Sequence, residues 1–461
     1  MFAEIDAACA AFAAQHDLPG LAAGIVRDGR LVHSVRLGMA DREAARYVGP
    51  GTAFRIASMT KNLTALGVLA LRDRGALELD APLSRYVPAI GAVAAPTSDS
   101  PPVTLRHLLT HTAGFVTDDP WADRVLGMSP AELDRLIGDG ALFARSPGLA
   151  FEYSNLGYAL LGRVLTVVSG EPYQLYLRRT FLEPLGMTGT TFDAVAASRG
   201  DFAFGYRLDD GVWSRERIEP DGEVGAMGGL ATTVPDYARW VAFLLDAWPA
   251  RDGPDTGPVR RATIREMGLF HAPPFQPDGP VAPASGYGYG LVNSSDRTIG
   301  RWLHHSGGLP GYGSHVLLQP DRGLGVFAFA NRTYARMSTL TPHLATLLIA
   351  ADPGARPVAP SPALRRAADA VARALATGRI EEIADACAVN LLLDTPPPQR
   401  NAELAALKRK FGEATLAAIE PTHALAGTAV LACANGRLRV QLLLAPDARN
   451  GIQKLVFIAE P

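Results

Sequence analysis

The chain has 461 residues, 48% hydrophobic and 20% charged, with 44 basic against 46 acidic side chains and a formal net charge of −2. That length suits two or three domains better than one core, and the even charge balance, with no basic or acidic lobe, argues against nucleic acid or an anionic membrane surface as a partner. Nothing approaches the roughly 18 apolar residues of a spanning helix, and Cys9, Cys387 and Cys433 lie far apart in apolar settings, as buried small hydrophobes rather than a disulfide or a metal site.

The opening stretch, MFAEIDAACAAFAAQHDLPG, carries early acids and no basic leader region. It reads as a helix ending near Gly20 rather than a signal peptide, which makes a cytoplasmic location the expectation. Two alternating apolar runs follow, joined by Arg27-Asp28-Gly29-Arg30, and Asp-Gly in that position predicts a hairpin. FRIASMTKNLTAL (54–66) then opens an amphipathic helix with Leu63, Leu66, Leu69 and Ala70 as its apolar stripe and Gly75 as its stop. On such a helix Ser58 and Lys61 share a face one turn apart.

From about 80 to 285 the pattern is mostly helix and loop. Thr104 caps a short helix, and Thr233 with Asp236 three residues on forms a capping-box arrangement. Strands return over 286–331 in WLHHS, SHVLLQ and LGVFAFA, with PDRG as the last turn. Strands at both ends around inserted helices predict one mixed α/β domain over 1–350. Its sheet part is about 1–80 and 286–350, and its helical part about 81–285. ADPGARPVAPSPA (351–363) reads as a proline-rich linker. Beyond it, 364–461 reads as a small α+β domain of unassigned role: helices through AELAALKRKFG, two strands around Asn435-Gly436, and a third at IQKLVFIAE.

A serine hydroxyl becomes a nucleophile only with a base to take its proton and donors to hold the oxyanion. Lys61 can be that base if burial strips its charge. Ser-x-x-Lys alone is a weak signal, but FEYSNLGYALLG adds Tyr153 and Asn155 at a helix mouth, and HHSGGLPGYG adds His305, Ser306 and Gly307 at a strand end. Together the three resemble the serine β-lactamase and penicillin-binding-protein superfamily, in its class C β-lactamase and DD-peptidase branch. There, Ser-x-x-Lys, Tyr-x-Asn and a strand motif of Lys or His, any residue, then Gly follow one another. LRHLLTHTAG, EPLGM, GGLATTVPDYARW and GYGYGL match lesser segments of that family, and the likeness runs over about residues 5–345.

The resemblance implies a mixed sheet flanked by helices, an all-helical subdomain, and an active site between them. It implies Ser58 as the acylated nucleophile and Lys61 as its activator. Tyr153 would share base work and protonate the leaving group, Asn155 would orient Lys61 and the substrate, and His305 would hydrogen-bond Tyr153 or the substrate. The oxyanion would rest on the N–H groups of Ser58 and Gly308, on a strand that includes Ser306 and Gly307. Glycine at 307 and 308 would keep side chains away from the acyl carbonyl. Strand alternation sends His305 into the cleft and His304 away from it. No metal or organic cofactor is implied. His107 and His111, at i and i+4, lack an accompanying glutamate motif and read as capping or packing.

Phe151, Tyr287, Tyr289, Leu309 and Tyr312 are the candidate substrate-lining residues, apolar or aromatic as suits an acyl ester or an uncharged peptide end. His305 stands where many β-lactamases of the family place a carboxylate-binding lysine. The expectation is therefore a serine hydrolase of a small ester, amide or peptide, an esterase or a D-amino-acid-type peptidase. A peptide-cyclising thioesterase or acyltransferase is one alternative, and a weak β-lactamase or slowly acylated penicillin-binding sensor another. The C-terminal unit could cover the cleft, form a homodimer, or do neither.

Overall fold

The computed structural model describes residues 1–140, 142–272, 284–352, 354 and 359–460. The chain divides into two compact units, Met1–Ala355 and Arg356–Pro461. The stretch expected as a linker, 351–363, falls in part on residues outside those described.

The first unit is built on an eight-stranded antiparallel sheet. Across it run Arg46–Tyr47, Arg30–Asp41, Gly20–Arg27, Leu324–Ala330, Tyr312–Gln319, Gly300–Leu309, Val292–Asp296 and Ala284–Tyr287. The N-terminal hairpin thus pairs directly with the late strands, Leu21 opposite Ala330 and Gly24 opposite Phe327. Its turn is the Asp-Gly expected, with Asp28 at φ 50° and Gly29 at φ 77°. Tyr312–Gln319 and Leu324–Ala330 are buried along their whole length because both faces of the sheet are covered. Phe2–Gln15 and Met337–Ala351 pack on one face around Ile5, Leu340, Leu344 and Val326. Thr60–Asp73 and Val234–Leu245 pack on the other, in a core that continues into the helical part. The first helix stops at Gln15, short of the expected Gly20, which already begins a strand.

Between the two groups of strands the chain is mainly helical, as the pattern predicts, with two small two-stranded additions: Phe54–Arg55 beside Ala231–Thr232, and Tyr206–Asp209 beside Val212–Arg215. Thr104 caps Leu105–Leu109, and the His107 side chain closes the capping box. Thr233 caps Val234–Leu245, but Asp236 does not complete a box. Its carboxylate accepts from the Gly189 N–H and Thr190 Oγ1 at 2.7 and 3.0 Å, a tertiary bond that outcompetes the local one.

The second unit carries helices Pro362–Thr377 and Pro397–Phe411 and a four-stranded antiparallel sheet. Three strands are those expected. The fourth, Ala414–His423, is an edge strand that sequence analysis does not pick out.

Candidate active site

Ser58 sits in a single 3₁₀ turn, Ala57–Met59, that leads into the helix Thr60–Asp73. Ala57 takes φ 49°, a left-handed conformation that costs a non-glycine residue about 1–3 kcal/mol and persists only where its surroundings enforce it. Here the Thr60 hydroxyl donates to the Ala57 carbonyl at 2.7 Å, and the Ser314 hydroxyl donates to the Ile56 carbonyl at 2.7 Å. The turn is therefore pinned from its own helix and from the sheet.

Lys61 is fully buried, and its Nζ has three oxygen partners, Ser58 Oγ at 3.0 Å, Asn155 Oδ1 at 2.6 Å and the Met227 carbonyl at 2.8 Å, with Met227 Sδ farther off at 4.0 Å. Burial brings its pKa down to about 8, against the partial opposition of Asp119, Asp123 and Asp118. A neutral amine has two hydrogens and one lone pair. Two of the three partners are obligate acceptors, so deprotonated Lys61 can donate to Asn155 and Met227 and aim its lone pair at Ser58.

Asn155 opens the helix Asn155–Ser169, whose N-terminus is capped twice. Ser154 accepts from the Gly157 N–H, and the Asp118 carboxylate accepts from the N–H groups of Asn155 and Leu156 at 2.6 and 2.8 Å. The Asn155 amide donates from Nδ2 to Asp119 Oδ1 at 2.5 Å, which fixes its flip and leaves Oδ1 facing Lys61. Tyr153 lies beside this pair with its ring 5.0 Å from Lys61 Nζ. Burial, reinforced by Asp119, holds its phenol well above the usual tyrosine pKa, partly offset by a hydrogen bond with Ser58. It therefore stands here as a proton donor. Behind it the His111 ring lies tilted against that of Tyr153, with centroids 4.3 Å apart, and accepts at Nδ1 from the Ser154 N–H at 3.1 Å. His107 and His111 thus cap and pack, and no group of three or more His, Cys, Asp or Glu side chains among the described residues is placed to hold a metal ion.

His305 lines the cavity, as the strand motif leads one to expect, but its partner is not Tyr153. Its Nδ1 is 2.6 Å from the Ser306 carbonyl, an obligate acceptor, so Nδ1 carries the proton. Nε2 then accepts from the Tyr287 hydroxyl at 2.8 Å, not from Tyr153, whose ring centroid is 6.4 Å away. Burial first, with Lys61 nearby, lowers its pKa to about 3. His305 is a neutral wall residue.

These groups border a cavity of about 340 Å³ lined by Ser58, Asp119, Asp123, Phe151, Tyr153, Tyr287, Val292, His304, His305, Ser306, Gly308 and Tyr334. It runs along the part of Gly300–Leu309 beyond His304, where pairing with Val292–Asp296 has ended and one strand edge is open. Both histidines reach it. His304 enters beside Val292, its partner on the last rung of that ladder, and is tied to Ser294 at 2.9 Å and His315 at 3.3 Å.

Of the candidate lining residues, Phe151 and Tyr287 face the cavity and three do not. Tyr289 lies past the strand end, stacked on His271 at 3.9 Å and bonded to Arg106. Tyr312 donates to the Ala203 carbonyl at 2.8 Å, and Leu309 is core at 2% exposure. At Gly307 a Cβ would meet Ser314 Oγ at 2.2 Å and the Ile56 carbonyl at 2.3 Å, so glycine lets the strand pack on the Ser58 turn. At Gly308 a Cβ would meet the Tyr334 ring at 2.8 Å. Asp119, Asp123 and Tyr334 also line the cavity, and no motif marks them in the sequence. Asp119 opens and Asp123 caps a four-residue helix, Asp119–Ala122, too short to leave a periodic signal. Tyr334 takes φ 50° in a loop.

Comparison with known proteins places this geometry. The Beta-lactamase family model matches residues 5–350. Protein flp of Staphylococcus aureus (strain NCTC 8325 / PS 47) is 26% identical over 343 residues, 73% of this chain, and the chain spans 65% of that protein's length. Esterase EstB of Burkholderia gladioli is 30% identical over 354 residues, covering 70% of this chain and 88% of its own. The octameric penicillin-binding protein homologue from Pyrococcus abyssi has a similar fold, with a TM-score of 0.67 at 22% identity over 96% of each chain. No helix among the described residues is long and apolar enough to cross a membrane.

Proposed function

The chain belongs to the Beta-lactamase family of serine hydrolases, and on that premise we propose that it is an esterase for small substrates lacking a carboxylate, working through an acyl-enzyme on Ser58. The observation that carries this reading is the buried Lys61 amine, 3.0 Å from Ser58 Oγ and with its other two partners both carbonyl oxygens.

In acylation Ser58 Oγ attacks the ester carbonyl carbon while its proton passes to neutral Lys61 Nζ. The oxyanion is held by the N–H groups of Ser58 and Gly308, beside the open strand edge. As the intermediate collapses, the C–O bond to the leaving group breaks, Tyr153 gives that oxygen its proton, and Lys61 returns a proton to Tyr153. Water then adds to the acyl-enzyme by the reverse route, its proton taken by the Lys61–Tyr153 pair, and the acid leaves as Ser58 regains its hydrogen.

Two features favour esters over carboxylate-bearing peptides or β-lactams. His305, neutral with its lone pair engaged by Tyr287, cannot hold a substrate carboxylate as a cation would. The cavity wall also carries the carboxyl groups of Asp119 and Asp123, whose negative charge repels a carboxylate, in full once the pH exceeds the Asp123 pKa, which burial raises to about 7. The test is steady-state hydrolysis of a short-chain p-nitrophenyl ester beside a D-alanyl-D-alanine peptide, for wild type and Ser58→Ala. Ester turnover that disappears in Ser58→Ala, with the peptide untouched, is the expected result. Peptide cleavage would move the assignment to a peptidase, and full turnover by Ser58→Ala would overturn the serine mechanism.

A further inference from the structure

The only charged side chains lining the cavity, among the described residues, are acidic. Lys61 lies beneath the wall with all its hydrogens engaged, and His304 and His305 are neutral. Arg124, next to Asp123 in sequence, pairs with Glu216 at 3.1 Å. The two cavity aspartates are anchored by one oxygen each. Asp119 Oδ1 holds the Asn155 amide, and Asp123 Oδ2 accepts from the Tyr334 hydroxyl at 2.8 Å. Asp123 lines the cavity, and its Oδ1 has no hydrogen-bond partner among the described residues; burial, against the Tyr334 hydrogen bond, raises its pKa to about 7, so a cation set beside it draws off its proton. A wall with one carboxyl oxygen that faces the cavity without a protein partner and a second carboxyl group beside it, next to a nucleophile, is complementary to an ammonium group.

Resting on the esterase reading above, we infer that Asp119 and Asp123 are specificity-determining residues that bind a cationic amine of the substrate within the Ser58 cavity. Tyr334 reaches from the sheet side of the cavity to fix the Asp123 carboxyl, and Asp119 is fixed through Asn155, the residue that also holds Lys61. The ammonium and the base are therefore coupled. Lys61 is surrounded by Asp118, Asp119 and Asp123, which favour its charged form, and by His111, His305, Tyr153 and Tyr158, none of which carries a charge there. Asp123 additionally feels the buried Arg55. A substrate cation set against Asp119 and Asp123 cancels the charges that keep Lys61 protonated. It frees the amine to act as a base, so a cationic substrate gains in turnover as well as in binding.

The amine can lie in the acyl group or in the leaving group, and matched pairs separate the two. β-Alanine ethyl ester against ethyl butyrate tests the acyl side. Acetylthiocholine against its uncharged tert-butyl isostere tests the leaving side. The full chain is assayed as wild type, Asp119→Asn and Asp123→Asn, and the readout is the ratio of kcat/KM, cationic over neutral, within each protein. In at least one pair the wild-type ratio is about tenfold or more. In both variants it falls toward one, and the pH at which kcat falls off on the acid side lies lower for the cationic partner in wild type only. Taking the ratio within each protein removes any general loss of folded enzyme, and each aspartate variant keeps an acceptor for its anchoring bond. A wild-type ratio near or below one in both pairs, or a ratio unchanged in both variants, overturns the inference while Ser58-dependent turnover still supports the hydrolase. Turnover that survives Ser58→Ala overturns the underlying reading instead.

Discussion

Replacing Lys61 with Met tests the idea that the base is kept ready by burial. Lys61 has a pKa of about 8 in the fold against an ordinary 10.5. A gap of that size amounts to roughly 3 kcal/mol of penalty for keeping an ammonium in the core at low pH. The folded state binds fewer protons than the unfolded chain between those two values, so stability must rise with pH across that window and the penalty is fully present below it. Between about pH 7 and about pH 9.5 the recovered stability is about 2 kcal/mol. Lys61→Met has no such titration. It leaves the Asn155 and Met227 oxygens short of a donor, at a cost of about 1–3 kcal/mol, but that cost does not vary with pH. The difference between the two proteins' pH dependences therefore reports the amine together with the carboxyls coupled to it, chiefly Asp123 with its pKa of about 7, while titrating groups not coupled to Lys61 cancel. Urea unfolding followed by tryptophan fluorescence is the assay. All five tryptophans (Trp121, Trp213, Trp240, Trp248 and Trp302) lie in the Met1–Ala355 unit, so the signal reports on the unit that holds Lys61. Parallel stability curves for wild type and Lys61→Met would refute the lowered pKa, and with it the choice of Lys61 as the base.

The same amine sets the rate profile: kcat/KM for a neutral ester should rise with pH through about 8, as Lys61 loses its proton, and an acid-side limb near pH 6 would point to a different base. Gly307→Ala should lower the melting temperature and the turnover together, because its Cβ would collide with Ser314 Oγ and the Ile56 carbonyl and push the strand off the nucleophile's turn. Adding Ser314→Ala should not restore it, since the Ile56 carbonyl remains at 2.3 Å, and a double variant with wild-type melting would show that the strand has slack.

What the sequence discloses here depends on how local its cause is. The first hairpin is legible because Asp28 and Gly29 adopt left-handed φ values that few residues tolerate. The mixed sheet is legible because LGVFAFA and SHVLLQ are apolar without alternation, as strands covered on both faces must be. Ala414–His423 is not legible. It is a mostly exposed edge strand containing Pro421 and rich in alanine, so neither β-propensity nor burial marks it. At and beneath the cavity wall, Ser58, Lys61, Tyr153, Asn155 and His305 could be named in advance through family motifs, and the fold draws them together. Their hydrogen-bond partners could not. Tyr287 and Tyr289 stand two apart, which on a continuous strand would give them one face. The strand ends at Tyr287, and Gly290 at φ 72° turns the chain, so only Tyr287 meets His305.

The three aspartates carry the same lesson into the chemistry. Asp118 spends both oxygens on backbone N–H groups at the start of Asn155–Ser169, so its place is accounted for by the helix it caps. Asp119 and Asp123 are only half accounted for, by the Asn155 amide and the Tyr334 hydroxyl. All three raise the proton affinity of Lys61, which works against a mechanism that needs that amine neutral. A neutral amide at 119 would still hold Asn155, and one at 123 would still accept from Tyr334, without that opposition. Retaining acids where amides would serve the fold as well makes sense if the opposing charge is removed when the cavity is filled. An ammonium on the substrate does that, and in doing so it ties the activation of Ser58 to the arrival of the right ligand.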